Sequence, residues 1–104
     1  MAKYRVEQFS SAIKNNGRGY ENLFILCKLV NSVGNPALRE YRIAPDERHA
    51  NLNELSQLIT LGFNQAKATG KSVEISEFKE RMYLYLTMPD VNDGQPIQVT
   101  GERV

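Results

Sequence analysis

Apolar residues recur through the first third of the chain in two patterns that read as helices. Ala2, Val6, Phe9 and Ile13 stand at spacings of four, three and four, which places them on one stripe of a helix from Ala2 to Asn16. Asn15-Asn16-Gly17 follows, and such residues tolerate the left-handed conformation that ends a helix. Arg18-Gly19 is then a short connection. From Tyr20 to Val33 nearly every position is apolar, the content is Leu-rich, and Gly34-Asn35-Pro36 supplies a stop, so a second helix is expected. A helix apolar almost all round cannot bury every side against one partner in so small a domain. It is therefore expected to be central or to form half of a subunit interface.

Beyond Pro36 the pattern changes period. Leu38 to Ile43 alternates, with Arg39, Tyr41 and Ile43 on one side and Leu38, Glu40 and Arg42 on the other, which predicts a short strand ended by Pro45. A helix capped by Asn35 is the rival for this stretch. Asp46 to Ala50 reads as polar loop. Asn51 with Glu54 three residues on resembles a capping box, and Leu52, Leu55, Leu58, Ile59, Gly62, Phe63 and Ala66 follow in helical phase up to Gly70. This gives a helix over 51–69, and Gly62 inside it marks close approach to another element, because glycine there costs about 1 kcal/mol relative to alanine.

Met82, Leu84, Leu86 and Met88 alternate with Tyr83, Tyr85 and Thr87, a strand signal that stops at Pro89. A helical stripe, Ile75, Phe78, Met82 and Tyr85, competes for the first half, as a helix capped by Ser76 and running to about Arg81. Asn92-Asp93-Gly94 is a turn, Ile97 and Val99 belong to a last strand over 96–100 that hairpins onto 82–88, and residues 101–104 fray. The expected fold class is α+β, with about three helices and a small, mostly antiparallel sheet in a single domain spanning 1–104.

Composition narrows the functional classes. One Cys and one His in 104 residues cannot assemble a Cys/His zinc site within one subunit, which takes at least three protein ligands. A lone Cys forms no disulfide within the monomer, and the start of the chain has no apolar stretch of the signal-peptide kind, so a reducing cytoplasm is the expected location. The longest apolar run, Leu23 to Val30, is far short of the roughly 20 residues a membrane helix needs. The formal net charge is only +1. The first 45 residues nevertheless hold seven basic residues, Lys3, Arg5, Lys14, Arg18, Lys28, Arg39 and Arg42, against Glu7, Glu21 and Glu40.

The candidate chemistry is sparse. Gly70-Lys71-Ser72 has the end of a phosphate-binding loop but lacks its first glycine, since Gln65 stands there, and it leaves a helix; a helix cap followed by an exposed lysine fits better. Ala66 and Gly70 have helix-turn-helix spacing, but Ser76 and Lys79 occupy positions the second helix needs apolar. Cys27 sits among apolar neighbours, where a thiol is held protonated. His49, beside Asp46 and Glu47, is expected to be solvated. Glu74, Glu77 and Glu80 would share one edge of a helix as a charged face. Tyr83 and Tyr85, in line with Arg81, would form an aromatic strip on which bases or a protein surface could pack, extended by Arg39, Tyr41 and Arg42 if that strand is a neighbour.

No catalytic residue, metal ligand or cofactor is assigned. The expectation is a non-catalytic binding or regulatory protein acting through protein–protein contact, a homodimer through the Tyr20 to Val33 helix. The alternative is a nucleic-acid accessory protein using the basic N-terminal region and the tyrosine strip. The candidate binding residues are Tyr83, Tyr85, Arg81, Arg39, Tyr41 and Arg42, and no membrane partner is expected.

Overall fold

Both N-terminal segments expected to be helical are strands. A computed structural model describes residues 2–15, 17–44, 51–88 and 92–104. β1 spans Ala2–Asn15, β2 Glu21–Val30, β3 Pro36–Ile43, β4 Val73–Phe78, β5 Arg81–Leu86 and β6 Ile97–Arg103, and the helix α1 spans Leu52–Ala68. The strands close into an antiparallel barrel in the order β1-β2-β3-β6-β5-β4, with β4 returning to β1. The expected arrangement of three helices and a small sheet is thereby overturned: the fold is mostly β, with six strands and one α-helix among the described residues.

The helical spacing in β1 comes from a bulge. Val6 pairs with Leu29 and Gln8 with Lys28, so Glu7 is an extra residue on β1. A bulge advances the strand by one position and bends it. The inward positions therefore run Val6, Phe9, Ser11, Ile13, and the step of three across the bulge imitates a helical stripe. The bend also lets β1 pair with β4 through residues 2–6 and with β2 through residues 5–15.

In β2, Leu23, Ile25, Cys27 and Leu29 point inward and are fully buried. Phe24 and Leu26 lie on the opposite face, so the run is apolar on both sides of a strand and not around a helix. Its stop is a turn: the Asn31 Oδ1 accepts from the N–H groups of Val33 and Asn35, and Gly34 adopts φ +87°. Asn15 and Gly17 likewise serve a β-hairpin, the Gly17 N–H donating to Asn15 Oδ1 at 2.9 Å.

The other expectations fare better. β3 is a strand with the faces expected of it, and its rival helix does not form; its stop at Pro45 and the loop 46–50 with His49 lie outside the described residues. α1 is capped by Asn51, whose Oδ1 accepts from the Glu54 N–H at 3.1 Å. β5 alternates as read, with Met82, Leu84, Leu86 and Met88 buried, and β6 hairpins onto it. Residues 76–81 belong to β4, its turn and the first residue of β5 instead of a helix. Residues 101–103, expected to fray, continue β6: the Arg103 N–H donates to the Glu80 carbonyl at 2.7 Å, and the Val104 N–H donates to the Glu40 carbonyl at 3.0 Å.

The barrel interior is filled from every strand, and α1 plugs one end with Leu55, Ile59 and Phe63 at spacings of four. Phe63 stacks on Phe9 with ring centroids 3.9 Å apart, and Ser56 and Ser11 share a hydroxyl hydrogen bond of 3.0 Å. A Cβ on Gly62 would stand 2.8 Å from Leu86 Cδ2, the close approach expected of that glycine. The connection through α1 carries β4 back to β1, giving the spatial order β4-β1-β2-β3 of a Greek key. Among the described residues no helix is long and apolar enough to cross a membrane.

Candidate nucleic-acid interface

Apart from a charged cluster around Glu77, the interior is apolar, and strand register decides which side chains meet on the outer face. Residues directly opposite across an antiparallel pair project from the same face. Phe24 on β2 is opposite Arg42 on β3, Arg42 is opposite Glu102 on β6, Glu102 is opposite Arg81 on β5, and Arg81 is opposite Phe78 on β4. A belt of three charged side chains flanked by two phenylalanines thus crosses five strands, roughly 19 Å at the usual strand spacing of about 4.8 Å. Lys14 adds to its β2 end, its Nζ 5.2 Å from the centroid of the Phe24 ring.

The next outward row along the strands holds Thr100, Tyr83, Ser76 and Lys3, and the one after it Gln98, Tyr85, Glu74 and Arg5. Tyr83 is half-buried and Tyr85 is 45% exposed. They project side by side from β5 because both sit at outward parity, two residues apart and two and four beyond Arg81.

Charges on this surface are mixed and nearly balanced, Lys3, Arg5, Lys14, Arg42 and Arg81 against Glu7, Glu40, Glu74 and Glu102. Arg42 is held to Glu102 by a 3.0 Å hydrogen-bonded ion pair, Lys14 lies 3.7 Å from Glu40, and Arg5 lies 3.7 Å from Glu7. Arg81 and Lys3 make no ion pair among the described residues. These pairs are solvent-exposed, so each is worth roughly 0–1 kcal/mol and yields readily to a competing phosphate.

Four of the six candidate binding residues, Tyr83, Tyr85, Arg81 and Arg42, are therefore brought together. Arg39 and Tyr41 are not: both point into the barrel, opposite Cys27 and Ile25 on β2. There they meet Glu77, which is only 7% exposed. The Tyr41 hydroxyl donates to Glu77 Oε1, while Arg39 Nε lies 3.6 Å from Oε1 and an Arg103 guanidinium nitrogen lies 3.5 Å from Oε2. Arg39 Nε is buried without a hydrogen bond. Burial, and after it the Tyr41–Glu77 hydrogen bond, raises the Tyr41 pKa above the ordinary tyrosine range. Burial likewise pushes the Cys27 thiol up to about 12, so it stays protonated and unreactive at neutral pH.

The remaining motifs resolve as structure. Gly70-Lys71-Ser72 ends α1: Gly70 has φ +71°, its N–H donates to the Lys67 carbonyl, and the Lys71 N–H reaches the Ala66 carbonyl at 2.8 Å. No second helix follows, since Val73 opens β4, so the helix-turn-helix spacing has no partner. Glu74, Glu77 and Glu80 are separated by the same strand, Glu74 facing out, Glu77 in, and Glu80 lying in the turn. Among the described residues no three His, Cys, Asp or Glu side chains are placed to hold a metal ion.

Sequence reasoning named Lys3, Arg5 and Lys14 only as part of a basic N-terminal region, and missed Phe24 as a member of this face. The signal was the alternation hidden in Leu23 to Leu29, where the even-numbered positions are Phe24, Leu26 and Lys28. No protein-family model matches the chain, and neither a curated protein nor a solved structure matches it.

Proposed function

We propose that the chain is a non-catalytic binding protein whose ligand is single-stranded nucleic acid, held across the outer face of β3, β6, β5, β4 and the start of β1. The observation that carries this reading is the placement of Tyr83 and Tyr85 side by side on β5, in a surface that also presents Arg81, Arg42 and Lys3. Bases stack on exposed aromatic rings whatever their identity, and phosphates pair with the flanking cations, so the combination suits a strand of any sequence. Small Greek-key barrels that bind oligonucleotides use their outer face and adjacent loops in this way, a likeness of architecture alone. The argument for a homodimer through a Tyr20 to Val33 helix falls with that helix, since the segment is β2 and its inward side is spent on the core.

Fluorescence anisotropy with labelled oligothymidylate tests the reading. Stacking is worth about 1–3 kcal/mol per base, so Tyr83→Ala and Tyr85→Ala each weaken binding about 5- to 150-fold. With Lys3, Arg42 and Arg81 each engaging one phosphate, log K falls against log salt with a slope of about −2. Binding that ignores both salt and the tyrosines refutes the proposal.

A protein partner is the second reading. Leu38 (66% exposed) and Leu26 lie outward on neighbouring strands, with Val33 exposed in the turn that joins them. Light scattering of Leu26→Lys/Leu38→Lys against the parent tests it: a dimer that dissociates on substitution supports self-association through this face, and a monomeric parent removes that form of it.

A further inference from the structure

The tyrosine face does not end at Tyr85. The next outward position, just past the end of β5, is Thr87, and both line a groove of about 740 Å³ whose far wall is the end of α1, with Thr69, Lys71 and Ser72. A second groove, about 600 Å³, lies on the other side of the α1–β4 connection, between the β1 bulge and α1, and is lined by Arg5, Glu7, Lys67 and Lys71. The two share Ala66, Lys71, Ser72 and Val73, so they meet around one exposed lysine.

The walls are suited to a phosphodiester. Lys67 and Lys71 make no ion pair among the described residues, and Ser72 and Thr87 bring hydroxyl donors. The end of a helix ordinarily repels an anion through its bare carbonyls. Here those of Gln65, Ala66 and Lys67 already accept from Thr69, Lys71 and Gly70, so bonded carbonyls line this wall and the cations are left to face the groove. Among the described residues lining the two grooves Glu7 is the one acid, and it is held by Arg5 at 3.7 Å.

We infer that the same single strand continues past Tyr85 into these grooves, its phosphates passing Lys71 and reaching Lys67 and Arg5. This rests on the proposed nucleic-acid reading and adds a second contact zone of different chemistry: phosphate pairing in the grooves against base stacking on the β5 face. Short strands occupy the tyrosines alone, and longer ones use both, within the roughly 4–16 nucleotides that small barrels cover.

The test compares oligothymidylates of 5 and 15 nucleotides by anisotropy, using the parent, Lys67→Gln/Lys71→Gln and Lys28→Gln, whose lysine lies outside both grooves on the outer face of β2. Both groove lysines are exposed, and matching thermal melts check that the double variant is folded. Losing two phosphate contacts lowers the salt slope for the 15-mer by about 1.4 and its affinity about 25-fold at 0.1 M salt, with the 5-mer unchanged. A 15-mer unaffected by the double substitution, or a 5-mer equally affected, overturns the inference. A 5-mer that still depends on Tyr83 and Tyr85 keeps the platform reading standing in that case, whereas failure of both oligonucleotides to bind the parent removes the two together.

Discussion

Glu77→Gln removes one charge from the barrel interior while keeping its shape, and its effect follows from how that carboxylate is surrounded. Glu77 serves Tyr41 and Arg39 from β3 and Arg103 from β6. Glutamine still accepts from the Tyr41 hydroxyl, but it leaves two guanidinium groups near one another with no anion between them. Breaking a fully buried pair costs about 3–5 kcal/mol. The Arg39 and Arg103 side chains are 29% and 47% exposed, so solvent screens part of that loss and about 2–3 kcal/mol remains. At about 2.1 cal/mol/K of unfolding entropy per residue, a chain of 104 residues melts roughly 9–14 °C lower. Calorimetry on the parent, Glu77→Gln, Arg103→Gln and the double variant gives the shift and the coupling. A shift under about 2 °C, or singles that simply add, would falsify the view that this carboxylate ties β4 to β3 and β6.

Three other outcomes follow from geometry on the same barrel. A Cβ at Gly101 would stand 2.9 Å from the Arg42 carbonyl oxygen, so Gly101→Ala pries β6 from β3, costing about 2 kcal/mol or roughly 9 °C; a melt within 2 °C of the parent contradicts this. Asn51→Ala forfeits the cap on α1 and costs about 1 kcal/mol in urea unfolding, while Asn51→Asp keeps it; equal losses from both would count against the cap. The folded-state pKa values of Cys27 and Tyr41 are raised, so the fold binds more protons than the unfolded chain at high pH. The stabilisation is complete below about pH 9 and is lost as pH rises toward 12, at up to about 1.4 kcal/mol per unit for each group. Cys27→Ala flattens this alkaline limb, and an unchanged limb would show that the thiol does not titrate on unfolding.

The later two-thirds of the chain was more legible than the first. α1 and β5 carry strong single-period patterns with clear ends, Asn51 and Gly70 for one and strict alternation for the other, and local preference agrees with the fold there. β1 and β2 misled for separable reasons. The bulge at Glu7 breaks the parity of β1, and the inward Ser11, satisfied by Ser56 of α1, adds a polar residue where a core position reads as apolar. β2 is apolar on both faces because Phe24 and Leu26 line the outer surface, and composition alone favours helix for so Leu-rich a run. For the site, one-dimensional parity found Tyr83, Tyr85 and Arg81. It assigned Arg39 and Tyr41 to the wrong side of the barrel, because which face of β3 turns inward depends on Cys27 and Ile25 opposite them.

Glu7 also sets how the chain tolerates change. On its two sides β1 is read in opposite phases: outward positions are odd at Lys3 and Arg5 and even at Gln8, Ser10, Ala12 and Lys14. Deleting one residue at the bulge would put the strand into a single phase. Tyr4 and Val6 would then run on into Phe9, Ser11 and Ile13 with every side chain keeping its face, whereas deleting one residue between Phe9 and Ile13, with the bulge kept, turns over the residues beyond it, charge to the core and apolar side chain to water. Adding a residue between Asn15 and Glu21 lengthens only a hairpin turn. Single-residue change in length is thus permitted at the end of β1 and at the bulge itself, and sequences descended from this fold should keep the alternation from Phe9 to Lys14 while being free to lose the extra residue at Glu7.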